Sequence, residues 1–129
     1  MADFETVKQY LFELGYDISN ADNEQELVII SDESAGICNL IIDCESPLVI
    51  FEQLIFELKN YNEYTLLKLL QMNRQLVHGA FAVDEDGKKV LFRDTLEIEN
   101  LDLNEIKGTI DALSLAMAEF GADLLELSK

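Results

Sequence analysis

The chain has 129 residues, enough for one domain spanning 1–129 whose core needs no disulfide or metal to hold it. Nine basic residues stand against 26 acidic ones, and a net charge of -17 argues against nucleic acid and anionic membrane surfaces as partners. A hydrophobic fraction of 49 % excludes a disordered acidic tail, so the acid either keeps a sticky globular protein in solution or suits a basic or apolar polypeptide partner.

The first ten residues, MADFETVKQY, have neither the basic n-region nor the unbroken apolar h-region of a signal peptide. No stretch approaches the ~18 apolar residues of a membrane span. A cytoplasmic location without membrane insertion is the expectation. Asp3 is placed to cap a helix in which Phe4, Val7, Leu11 and Leu14 form one buried stripe, and Gly15 is its natural stop. The polar run DISNADNEQE then predicts a turn-rich connection, with room for a short strand near Gly15 to Ile18.

Three strand-like runs follow, LVIIS from 27, GICNLIIDC from 36 and LVIFEQLIFEL from 48, separated by the turn formers DESAG and ESP. Such short connections favour an antiparallel meander. In the second run Cys38, Leu40, Ile42 and Cys44 alternate with Ile37, Asn39, Ile41 and Asp43, giving one apolar and one mixed face. Six positions along one strand at ~3.3 Å each put the two cysteines about 20 Å apart, so they cannot bridge; buried thiols are expected. In the third run Leu48, Ile50, Leu54 and Phe56 oppose Val49, Phe51 and Ile55, and neither face reads as freely solvated.

Asn62 is a plausible cap for a central helix, LLKLLQMNRQLV from 66. At 100° per residue its Leu66, Leu67, Leu69, Leu70, Met72, Leu76 and Val77 cover an arc of roughly 220°, far more than the ~100° stripe that one packing face needs. The excess predicts two partners, the sheet on one flank and something outside the subunit on the other. Asn73 lies within this arc, and either bonds local backbone at the helix end or fixes the register of a helix pair as a buried amide.

After Gly79, the runs GAFAV and KKVLFRDTL read as a hairpin around the loop from Asp84 to Gly87. Its carboxylates do not fit a calcium loop: with Gly87 sixth, the loop would run from Ala82 to Arg93, where carboxylates are required. Asp102 as cap and Glu105 three residues later open a last helix, on which Leu103, Ile106, Ile110, Leu113, Met117, Phe120 and Leu124 form a single stripe. Gly121 is a place for it to end or bend.

Catalysis needs convergent reactive groups, and none are evident. His78, the only histidine, falls at a helix-to-strand junction away from both cysteines, and no phosphate loop, zinc spacing or nucleophile elbow occurs. The expectation is therefore no enzyme, with no catalytic, metal or cofactor site. The fold class read from the runs is α+β, an antiparallel sheet of about five strands with helices packed on it, in the order α-β-β-β-α-β-β-α.

That order, together with the segment LLKLLQMNRQLVHGAFAVDEDGKKVLFRDTLEI, resembles the type III secretion chaperone-like superfamily, in particular the Tir-chaperone (CesT) family and the YbjN-type domains. The resemblance implies a small acidic homodimer holding a partner polypeptide in extended form. Carried onto this chain, it makes Leu66, Leu67, Leu69, Leu70 and Met72 the expected dimer interface, and Phe51 and Ile55 the expected partner contacts. A YbjN-type regulatory or stress-response adaptor is the alternative it implies. A small-ligand binder or enzyme, the third reading, would need a pocket between sheet and helix.

Overall fold

The computed structural model describes residues 3–59 and 61–129. Among them the chain runs through helix α1 (Phe4–Glu13), strands β1 (Ile18–Asp22), β2 (Leu27–Asp32), β3 (Ile37–Glu45) and β4 (Leu48–Glu57), helix α2 (Glu63–Asn73), strands β5 (Ala80–Val83) and β6 (Lys89–Glu97), and helix α3 (Leu103–Leu127). One antiparallel sheet takes all six strands in the order β1-β2-β3-β4-β6-β5.

The helix ends follow their capping residues. The side chains of Asp3, Asn62 and Asp102 accept from the N–H groups of Thr6, Thr65 and Glu105, each satisfying an otherwise unpaired donor in the first turn. Gly15 closes α1 with a left-handed backbone at φ 87. Gly121 neither ends nor interrupts α3, which continues to Leu127 because Phe120 and Leu124 hold both sides of the glycine in the core.

The expected five strands become six through β1, which lay within the run read as a connection. Its residues ISNAD are mostly exposed, since an edge strand has neighbours on one side only. Backbone pairing with β2 makes it a strand, and that pairing leaves no mark in the polarity of the side chains.

One face of the sheet is the core. Val28, Ile42 and Phe51 stand side by side across β2, β3 and β4, all at 0 % exposure, and residues from all three helices join the same cluster. Two irregularities correct the expected alternation. In β4 the register shifts between Leu54 and Phe56, so Phe56 turns inward with Val49, Phe51 and Gln53. In β3, Asn39 takes φ 53, which turns Ile37 into the core and leaves Cys38 exposed, where a buried thiol was expected. Buried Gln53 holds this kink: its Oε1 accepts from the Cys38 N–H at 2.9 Å and its Nε2 donates to the Gly36 carbonyl at 3.1 Å.

Candidate interaction surfaces

Helix α2 buries only Thr65, Leu69 and Met72, a narrow stripe at spacings of four and three. It ends at Asn73, earlier than the apolar run suggested, so Leu76 and Val77 belong to the connection that leads to β5. Its outer side carries Tyr64, Leu67 and Leu70 at successive spacings of three, and these are 64 %, 53 % and 68 % exposed. Surface helices ordinarily put polar side chains there. A contiguous apolar stripe facing water marks a contact surface.

The expected dimer residues are therefore divided by the fold. Leu67 and Leu70 point outward and Leu66 is half-buried, whereas Leu69 and Met72 are buried in the core of their own subunit at 4 % and 6 % exposure. The expected partner contacts fare differently again. Phe51 is fully buried beneath the helices, a correction forced by its place in the innermost row of the sheet. Ile55, at the β4 bulge, is half-buried and packs against the core.

A surface that those expectations missed is the opposite face of the sheet. Leu27, Ile29, Ile41, Ile50, Leu54 and Leu91 share it by register, and none belongs to the core cluster or to the residues packed on it. Ile41 is 39 % and Leu54 48 % exposed. The signal was present in the sequence, where β4 is apolar at both even and odd positions. Near the turn between β3 and β4 the face becomes acidic, and Asp43 stands there with its Oδ1 buried and unbonded among the described residues. Loss of water raises the Asp43 carboxyl above its ordinary value, and the charges of Glu45 and Glu52 add to this. Glu52 itself pairs with Arg93 across the face.

Reactive groups are not gathered. His78 is exposed, and among the described residues no group of three His, Cys, Asp or Glu side chains is placed to hold a metal ion. Burial pushes the Cys44 thiol up to about 12, away from the thiolate that nucleophilic chemistry needs. A cleft of about 430 Å³ lies between α2 and the end of α3, lined by Tyr64, Lys68, Met72, Asp123, Glu126 and Leu127. It joins two helices rather than sheet and helix. Among the described residues no helix is long and apolar enough to cross a membrane.

A six-stranded antiparallel sheet with helices on its core face and apolar surfaces left open defines a secretion-chaperone-like α+β domain. The chain belongs to the CesT_Tir_1 family, whose model matches residues 1–129. Solved structures share the fold at low identity. YbjN from E. coli is 14 % identical, with a TM-score of 0.66 over 94 % of this chain and 92 % of that one. A chain of the HopA1-SchA chaperone-effector complex is 12 % identical, with a TM-score of 0.63 over 89 % of this chain and 91 % of its own. A chain of the ExsC-ExsE complex is 18 % identical, with a TM-score of 0.52 over 93 % of each. No protein of curated function matches the sequence.

Proposed function

We propose that this protein is a noncatalytic, chaperone-like binding module of the cytoplasm that acts as a homodimer and holds a partner polypeptide. The observation that carries the reading is the Tyr64, Leu67 and Leu70 stripe on α2, whose inner side the core already uses. Pairing two such stripes about a twofold axis removes both from water, and a C2 contact needs only one self-complementary patch. Likeness to a chain of a chaperone-effector complex supports a protein partner. Full-length likeness to YbjN supports the second reading, a stand-alone adaptor that binds one folded protein.

Light scattering at micromolar concentration tests the dimer. The wild type gives twice the chain mass, and Leu70→Glu gives a monomer with unchanged far-UV circular dichroism, because a 68 % exposed side chain contributes little to the subunit fold. A wild-type monomer, or a Leu70→Glu dimer as tight as the parent, overturns the α2 interface. Capture from the native cell separates the two partner readings: a chaperone recovers an unfolded or secreted polypeptide, and an adaptor recovers one folded protein.

A further inference from the structure

We propose that the open face of the sheet docks a basic amphipathic helix of the partner polypeptide, an inference that rests on the protein-binding reading above. The first argument is backbone chemistry. Leu27–Ile30 of β2, Ile41–Asp43 of β3, Leu48–Glu52 of β4 and Val90–Arg93 of β6 are paired on both sides, so the middle of this face presents side chains rather than free peptide groups. An extended segment laid across it would press its own N–H and C=O groups against leucine and isoleucine without partners. A helix satisfies those groups internally and brings only side chains.

The second argument is size. Four strands at ~4.8 Å spacing make an apolar band about 15 Å across, which matches a helix of ~10–12 Å diameter with its side chains. Ile41 and Leu54 sit inside this band as exposed apolar side chains, while the hydrocarbon of their neighbours is already half shielded.

Charge chooses the character of that helix. By register, Asp22, Asp43, Glu45 and Glu97 crowd the end of the face beside the turn between β3 and β4. The bases that share the face are committed or distant: Arg93 is held by Glu52, and Lys89 lies at the far end opposite Glu57. The Oδ1 of Asp43 is a buried acceptor set among Leu27 and Ile50, without a hydrogen-bond partner among the described residues. A lysine or arginine on the flank of a docked helix supplies that donor, with its stem lying along the apolar rows.

The test uses the full chain, isotope-labelled, with a synthetic peptide carrying leucine at the i, i+3, i+4 and i+7 positions and lysine elsewhere. Its control has the same composition scrambled so that the leucines no longer share a face. The expected result is amide shift changes confined to β2, β3, β4 and β6, a gain of peptide helicity, and a control at least about tenfold weaker. Ile41→Glu and Leu54→Glu each weaken binding by about tenfold or more with the fold unchanged, and Asp43→Asn weakens it while flattening its salt dependence. Three results overturn the proposal. Shifts along the Ile18–Asp22 edge or the α2 stripe would remove this docking site and leave the protein-binding reading intact. A peptide that fails to bind, or binds no better than its control, would do the same. A fall in particle mass on Ile41→Glu without peptide would mean that a second copy covers the face. Failure of the binding reading itself is seen elsewhere, in cell capture that recovers no polypeptide.

Discussion

The side-chain amide of Asn73 holds the backbone of Phe81 at two points. Its Oδ1 accepts from the Phe81 N–H at 2.7 Å, and its Nδ2 donates to the Phe81 carbonyl at 3.1 Å. An amide offers a donor and an acceptor side by side, as a neighbouring strand would, so the last turn of α2 substitutes for a seventh strand at the β5 edge. An uncovered edge invites pairing with other chains. Neither reading of Asn73 made from the sequence describes this bond: the amide holds strand backbone eight residues on, not the carbonyls of its own helix end, and it is engaged within the subunit.

Replacing Asn73 by alanine should cost about 1–3 kcal/mol, because two part-buried backbone groups lose their partners at once. Urea unfolding measures the loss. Asn73→Asp, which keeps the acceptor and loses the donor, should fall between wild type and alanine. If both variants match the wild type, the clamp does not hold the edge in solution.

Gly79 is where α2 hands the chain to β5. Its φ of 76 lies in the left-handed region, and an added Cβ would come within 2.6 Å of the Phe92 ring and 2.9 Å of the Arg93 carbonyl. Gly15, at φ 87, has nothing within 4 Å of the same atom. Gly79→Ala should therefore cost strain and overpacking together, about 2–4 kcal/mol, against about 1 kcal/mol for Gly15→Ala, which costs strain alone. Thermal melts of the two variants give the order; equal losses would refute the close approach to Phe92.

The cysteines should differ sharply toward a thiol reagent. Cys38 is exposed, whereas Cys44 is buried and its thiol is pushed up to about 12 by lost hydration, with Glu26 and Asp43 adding to the effect. At pH 8 a thiol of that kind is ionised in only about one molecule in ten thousand. One thiol per native chain should react quickly, and Cys38→Ser should abolish the fast phase. Two fast thiols would mean that the core around Cys44 opens readily.

Asp43 makes stability depend on pH in a stated direction. Its carboxyl is raised in the folded protein, chiefly by burial, so the folded chain binds this proton more tightly than the unfolded chain does. The stabilising contribution is full below the ordinary value of 3.8 and is lost as pH rises through the folded-state value. Asp43→Asn should thus be more stable than wild type at neutral pH, and the advantage should vanish as the pH falls toward 3.8. Subtracting the two denaturation series cancels the other carboxylates. A constant difference across pH would place Asp43 in ordinary solvent.

Local chemistry settles locally, and those parts were legible in the residues. Asp3, Asn62 and Asp102 cap their helices because a short side-chain oxygen can reach an N–H within its own first turn, whatever the rest of the chain does. The stripe on α3 and the Asp84 to Gly87 turn have the same independence, with Asp84 accepting from the N–H groups of Lys88 and Lys89. The two-sided surplus of α2 was also visible, as composition at helical spacing.

Which residues carry the surfaces was not visible, since it depends on contacts between segments distant in the chain. Leu69 and Leu70 are adjacent and chemically identical; packing against the core buries one to 4 % and leaves the other 68 % exposed. Phe51 went from expected partner contact to innermost core because the rows of three strands align on it, and Phe56 joined it through a single bulge that no periodicity announces. Strand β1 exists by virtue of β2, and Asn73 finds its partner only once β5 has reached the sheet edge. The sequence by itself determined the elements other than β1, the helix caps and an excess of apolar surface; tertiary structure alone decided where that excess faces water, because burial is a property of neighbours.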